Sequence, residues 1–304
     1  MPLPPPLSGH GWNRNMSEER KGLCAALGAF GLWGLLPLYW SLLDHLPPFE
    51  LLCHRILWSA VILCAAVKLL GHGPQFMDMI RQRRMVLLLS VSALFISVNW
   101  FLFIWAVSEH RVLDSSLGYY INPLVNTIFG FIFFRERFSR LQGLGILLAA
   151  LGVLWNLFTY GSLPLLSLAL AFSFALYGTI RKLTPVDPLC ALLLETLVVS
   201  PVALFVLAQS FAVNGPPELS TTLLLTLAGP FTLLPLLSFG YAAQRVKLTV
   251  LGLCQYVSPT LSFCTSIFVL HEPFSGNMLV TFLFIWAGLA VFSWSSWRML
   301  HPKI

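Results

Sequence analysis

Charge is scarce in this chain: Asp, Glu, Lys and Arg together make up 10% of its 304 residues. An ordinary soluble domain carries roughly 25% charged residues. So few charges cannot coat a globular surface of this size, which excludes a single soluble domain. Disorder is excluded from the other side, because Phe alone contributes 24 residues and the hydrophobic share is 57%. Catalytic signatures are missing too. The sequence has no H-E-x-x-H, no G-x-S-x-G, no Asp-rich loop and no Walker motif, and its seven His are scattered. No enzyme is expected, and ATP-driven transport by this chain alone is excluded. The six Cys form no C-x-x-C pair and lie in apolar stretches, so they read as small buried hydrophobes rather than metal or redox groups. No basic patch is interleaved with aromatics, so the net charge of +6 does not point to nucleic acid. No metal and no cofactor are expected.

Long apolar runs are what the chain has instead. A spanning helix needs about 20 mostly apolar residues. Ten segments qualify, roughly 22–43, 49–70, 85–108, 112–134, 141–160, 163–180, 189–210, 220–242, 248–270 and 277–297. They are too long for barrel strands of about 10 residues. The expected fold class is an all-α integral membrane protein with ten transmembrane helices in contact with membrane lipids. Residues 1–20 read as a flexible tail, rich in Pro at its start and without the positive start and apolar core of a signal peptide. Met16 is an alternative start to Met1.

The basic residues set the orientation. With the N-terminus inside, sixteen of the eighteen Lys and Arg fall in cytoplasmic loops or ends; Arg111 lies outside and Arg55 within the second span. Both termini come out cytoplasmic, in a multi-pass protein of a bacterial cytoplasmic membrane.

The chain also repeats itself. Ala29-Phe30-Gly31-Leu32-Trp33-Gly34 resembles Ser173-Phe174-Ala175-Leu176-Tyr177-Gly178, and Tyr120-Ile121-Asn122-Pro123 resembles Tyr256-Val257-Ser258-Pro259. Glu136 stands thirteen positions after Pro123, and Glu272 thirteen positions after Pro259. The reading is two five-helix units, 21–160 and 161–304. Five is odd, so the second unit enters the membrane from the opposite side. Arg135, Arg137 and Arg140 surround Glu136, whereas only His271 adjoins Glu272. Inverted repeats of this kind build secondary transporters whose halves rock about a central site.

The motifs Leu32-Trp33-Gly34-Leu35-Leu36-Pro37-Leu38-Tyr39, His54-Arg55-Ile56-Leu57-Trp58-Ser59, Gly118-Tyr119-Tyr120-Ile121-Asn122-Pro123-Leu124, Arg135-Glu136-Arg137-Phe138-Ser139 and Gln255-Tyr256-Val257-Ser258-Pro259-Thr260 follow a specific order and spacing. In them the chain resembles the EamA family of the drug/metabolite transporter superfamily, and within it the RarD-like permeases. The resemblance runs from Lys21 to Trp297. It implies a ten-helix permease for small organic solutes. It does not fix the solute.

Charge at membrane depth costs about 2.5–3.5 kcal/mol on insertion scales, so such residues tend to mark function. Arg55 and Glu195 lie well inside spans, each seven residues after a proline, Pro48 or Pro188. At 1.5 Å per residue from opposite faces of a core about 30 Å thick, roughly 12 Å of axial separation keeps them apart. Arg55 either attracts an anionic group or snorkels to the headgroups. Glu195 is the candidate for proton coupling, with bonding to a neighbouring helix as its alternative. Glu50 and His54, one turn apart, are a candidate relay or interfacial caps. Tyr119, Asn122 and Asn126 share one helical face, as do their counterparts Gln255, Ser258 and Ser262. Pro123 and Pro259 would kink both helices and free carbonyls beside these faces. Together with Asn99 and Trp100 they form the expected solute site; interhelical bonding is the alternative. Trp33 and Tyr177 are repeat-related and could stack on a planar solute. Trp12, Trp294 and Trp297 read as interfacial anchors. Gly145, Ala149 and Gly152 give the fifth span a small-residue face for close packing, within the chain or in a homodimer. Glu136 and Glu272 read as local structural groups. The expected function is a secondary transporter of a small organic solute, with a structural or regulatory subunit or a membrane enzyme as alternatives.

Overall fold

The computed structural model describes residues 12–135, 139–161, 163–243, 245 and 254–300. Among them are eleven helices and no strand. In chain order these are α1 (Trp12–Ser41), α2 (Pro48–Leu69), α3 (Gly73–Ile80), α4 (Arg83–Ser108), α5 (Val112–Phe134), α6 (Arg140–Tyr160), α7 (Leu165–Lys182), α8 (Pro188–Asn214), α9 (Leu219–Ala243), α10 (Val257–Phe268) and α11 (Gly276–Leu300). Seven of them, α1, α2, α4, α6, α8, α9 and α11, are long and apolar enough to cross a membrane, and α7 and α10 are shorter apolar helices. The Pro-rich stretch before Trp12, Glu136 to Phe138, Lys247 with the start of the 248–270 segment, Lys303, and the side chains of Trp12 and Trp297 lie outside the described residues.

Each expected apolar segment overlaps one helix, and α3 is an addition. At eight residues it is too short for a 20-residue apolar window. It is amphipathic: Met79 is buried with Cys190, Ala191 and Leu194 of α8, while Gln75 and Asp78 are exposed. A second difference is at the N-terminus. α1 begins at Trp12, so residues 12–20, expected in the tail, are helical. A third concerns Pro259. It is the third residue of α10, preceded by a turn at Gln255 and Tyr256. The first four N–H groups of a helix have no intrahelical acceptor, so proline there removes no helical bond. Pro259 therefore opens a helix instead of kinking one. Pro123 does lie inside its helix.

Local chemistry sets several helix starts. Pro48 and Pro188 open α2 and α8, where the fixed φ of proline suits the first helical position. Asp187 accepts from the Cys190 N–H at 2.9 Å and caps α8. Ser139 and Gln142 form a reciprocal capping box at the start of α6. The start of α5 is capped from far away. Glu272, 6% exposed, accepts from the N–H of Val112 at 2.6 Å and of Leu113 at 2.9 Å, and from the Ser266 hydroxyl at 2.7 Å. It thus ties the end of α10 to the start of α5, a reach no local reading anticipates.

Two cores form. Trp40, Leu51, Leu63, Ile104, Leu170 and Leu225 belong to one; Leu117, Tyr120, Ala149, Phe282 and Ile285 belong to the other. Outside them, large apolar side chains such as Val61, Leu69, Phe158, Leu165, Val213 and Leu219 are exposed. Exposed apolar side chains on helices this long and apolar suit lipid. The main helix pairs are α1 with α9 and α10, α4 with α7 and α8, α2 with α8 and α9, α5 with α7 and α10, and α6 with α11. In the last pair, a Cβ on Gly145 would come within 2.7 Å of the Gly288 carbonyl, and one on Gly288 within 2.6 Å of the Gly145 carbonyl. The small-residue face of α6 is therefore filled by α11 of the same chain, which removes it as a homodimer contact.

Candidate functional site

The expected polar residues divide into separate clusters. On α5, Asn122 is fully buried and donates to the Ala171 carbonyl of α7 at 3.0 Å. Its oxygen accepts from Asn126 at 2.8 Å and from Gln255 at 3.4 Å. Asn99 of α4 donates to the Leu170 carbonyl at 2.9 Å and to Ser173 at 3.0 Å, and accepts from the Tyr119 hydroxyl at 3.3 Å. These amides join α4, α5 and α7. Their buried ends are spent on interhelical bonds, worth about 0.6–2 kcal/mol each. Asn126 is exposed, and Gln255 and Tyr119 are half-buried, so these are the parts of the network that meet open space. Ser262 is elsewhere, donating to the Gly34 carbonyl of α1 at 3.1 Å, and a Cβ on Gly34 would lie 2.8 Å from the Ser258 carbonyl. The counterpart stripe is thus divided between α5 and α1.

Glu195 is 1% exposed. Its Oε1 accepts from the Ser92 hydroxyl of α4 at 2.6 Å and lies 3.8 Å from Nη1 of Arg181 in the last turn of α7. Its Oε2 and that Nη1 have no hydrogen-bond partner among the described residues. The carboxylate is therefore buried, its arginine half-buried and the pair incompletely satisfied, and it is not the one that pairing of membrane-depth charges would select. Tyr177, four residues before Arg181 on the same face, is the neighbouring titratable group.

Arg55 is 3% exposed and stands in an aromatic enclosure. Its guanidinium carbon lies 4.1 Å from the ring centroid of Trp100 and 5.8 Å from that of Trp40. Nε donates to Thr232 of α9 at 3.0 Å, and Thr232 donates on to the Ala228 carbonyl at 2.8 Å. The interacting titratable groups are the phenols of Tyr119 and Tyr39. No carboxylate among the described residues pairs with it. An arginine this buried and stacked is not snorkelling. From there the rings of Phe103, Tyr119, Phe174 and Tyr177 follow one another at centroid spacings of 5.9, 6.4 and 5.8 Å. They lead from the Arg55 enclosure to the Glu195–Arg181 pair.

The remaining expected residues sit at edges. Glu50 accepts from Ser210 of α8 at 2.8 Å, and the His54 ring faces Phe211 at 6.0 Å. They do not bond to one another and hold α2 to α8. Trp33 packs on Phe30 at 5.4 Å and Phe239 at 5.9 Å. A cavity of about 370 Å³ between α5, α10 and α11 holds none of the expected residues. Its Tyr120 and Thr260 hydroxyls bond to each other at 2.7 Å, which leaves little polar chemistry for a ligand.

Among the described residues one group of donors could converge on a cation: His72, Asp187 and Cys190, whose ligand atoms lie within 4.8 Å of one another. Asp187 already caps α8 and faces His72 at 3.3 Å. Burial pushes its carboxyl upward, but the Cys190 N–H and thiol and the His72 ring outweigh it and hold the group below the usual carboxylate range. The cluster reads as a clasp between the turn after α2 and the start of α8.

Comparison with known proteins places this architecture. Residues 20–158 match the model of the EamA-like transporter family. The chain is 43% identical to "Uncharacterized transporter YojE" of Bacillus subtilis over 92% of its own length and 95% of that protein. It belongs to the EamA family. It is also 43% identical to "Protein RarD" of Escherichia coli, over 90% of this chain and 94% of that one. At 27% identity it resembles "Chloramphenicol-sensitive protein RarD" of Pseudomonas aeruginosa, over 95% of this chain. A solved crystal structure of 21% identity aligns with a TM-score of 0.59 over 89% of this chain and 96% of that one, a likeness of fold alone. The chain is a RarD-like permease of the EamA family and a multi-pass membrane protein.

Proposed function

We propose that this EamA protein is a secondary transporter of a small organic solute, built of two five-helix units of opposite orientation that alternate access to a central site. The units are α1, α2, α4, α5 and α6, then α7 to α11, with both termini cytoplasmic. The observation that carries the reading is a symmetry of contacts. Exchanging the helices of one unit for those of the other turns α1–α9 into α7–α4, α1–α10 into α7–α5 and α2–α9 into α8–α4, and maps α2–α8, α5–α10 and α6–α11 onto themselves. Each of these nine pairs has its partner, as expected of inverted repeats, and the smaller α2–α4 contact has no α8–α9 counterpart of similar size among the described residues.

The solute site in this reading lies along Arg55, the Tyr119–Tyr177 aromatic path, Asn126 and Gln255. Asn99, Asn122, Ser258 and Ser262 support it by fixing the helices around it, and Trp33 flanks it. Glu195 is the proton carrier. It is a buried carboxylate with one unbonded oxygen beside an arginine it can leave, the arrangement expected where intramembrane acids serve coupling.

The test uses purified protein in liposomes with a trapped pH dye, an imposed pH gradient and a panel of small organic solutes. The expected result is protein-dependent movement of at least one solute with proton flux. Glu195→Gln should keep the protein folded and abolish accumulation driven by the gradient. Full accumulation in that variant removes the proton role. Chemical turnover of the solutes without movement removes the transporter.

A further inference from the structure

Arg55 carries an inference about the solute that rests on the transport reading above. Burying an unpaired charge is costly, and buried charges are ordinarily paired. Among the described residues the other buried charges have their partners: Glu195 has Arg181 and Ser92, and Glu272 has two backbone N–H groups and a serine. Arg55 has a hydroxyl at Nε, two indole faces and neutral phenols. Its two Nη atoms bond to no described residue, and they are not among the sealed, unpartnered atoms of the interior. One edge of the guanidinium is therefore held by Thr232, one face lies on Trp100, and the edge formed by the two Nη atoms is left for a ligand.

We propose that the Nη edge of Arg55 binds the carboxylate of the transported solute, a monoanion whose apolar or aromatic body lies along Tyr119 and Phe174. The planar fork matches a carboxylate through two parallel hydrogen bonds. Charge selects a monoanion: Arg55 brings one unmatched positive charge, and the nearest described second arginine on the aromatic path, Arg181, is engaged by Glu195. A phosphate dianion would leave one negative charge buried. The rings beyond Arg55 select the body, since Phe103, Tyr119 and Phe174 offer stacking surface and only one hydroxyl, which is already bonded to Asn99. Trp100 keeps the guanidinium in place when no solute is bound, through a cation–π contact.

The probes are N-acetyl-L-phenylalanine and its primary amide, which share one shape and differ in the carboxylate charge. Each is titrated by calorimetry into the full-length protein in detergent, with inorganic phosphate and chloride as competitors. The acid should bind at least tenfold more tightly than the amide, and Arg55→Gln should erase that preference. Arg55→Lys should keep part of it, because the charge remains and the fork is lost. Equal binding of acid and amide to the unaltered protein, binding of neither, or a preference that survives Arg55→Gln overturns the inference. So does displacement of the acid by phosphate or chloride at similar concentration. If Arg55→Gln does not fold, the acid-to-amide ratio of the unaltered protein decides. Both probes are then followed into protein-containing liposomes against protein-free ones. Acid that binds and is not moved upholds the carboxylate site and removes the transport reading. A neutral solute carried equally by the unaltered protein and Arg55→Gln does the reverse.

Discussion

Arg55 and Glu195 occupy the same register, each seven residues into a helix opened by proline, yet their surroundings differ in kind. Glu195 is met by a charge from α7 and a hydroxyl from α4. Arg55 is met by a hydroxyl from α9 and by rings from α1 and α4. α8 holds its charge as an ion pair inside the protein. α2 stabilises its charge by stacking and leaves the hydrogen-bonding edge open. The difference teaches that charges at the same register of two helices need not do equivalent work. In the proposed reading the carboxylate with a nearby arginine trades its proton, whereas the arginine with no acid binds an anion.

The largest effect that would sharpen this contrast is on stability. Arg181→Gln strands Glu195 as an unpaired buried charge, and breaking such a pair by removing one partner costs about 3–5 kcal/mol. The double variant Arg181→Gln, Glu195→Gln should recover most of that loss in a thermal melt in detergent. Arg55→Gln strands no partner and should melt close to the unaltered protein. If Arg55→Gln and Arg181→Gln lose stability equally, an unseen acid pairs with Arg55 and the contrast fails.

A smaller effect separates the two hydroxyls. Ser92→Ala removes a hydrogen bond to a charged group, worth about 1.5–3 kcal/mol. It should also change the pH profile of the proposed coupled transport, since the hydroxyl meets the carboxylate directly. Thr232→Val should leave that pH profile unmoved and weaken the binding of a carboxylate probe, because it frees the Arg55 guanidinium to turn. A shift of the pH profile by Thr232→Val would join the two sites into one. The smallest effect is expected from Asn122→Ala, at about 0.6–2 kcal/mol for interhelical bonds in membranes. Loss of stability with unchanged probe binding would assign Asn122 to support alone.

Most of the helices were legible because apolar run length is a property of the chain itself, and ten runs in 304 residues leave room for little else. α3 escaped because its signal is amphipathic and eight residues long. Arg55 and Glu195 were legible as rarities: charge in an apolar run is conspicuous. Their partners were not. Ser92 had a faint signal, lying seven residues before Asn99 and hence on one helical face with it. Arg181 had another, one turn beyond Tyr177 on the last turn of α7. Thr232 had none, because a threonine in a leucine-rich helix is ordinary and its importance lies only in what faces it.

The sequence by itself determined the class of protein, the helices and the positions where charge enters the membrane. These follow from composition and spacing, which act within a single helix. Which charge meets which partner was decided only by the tertiary structure. The Glu195–Ser92 contact spans 103 residues, Arg55–Thr232 spans 177 and the Glu272 cap on α5 spans 160. Contacts at that separation depend on how helices cross, and crossing is set by the packing of all the faces together, as where Gly145 and Gly288 let two backbones meet.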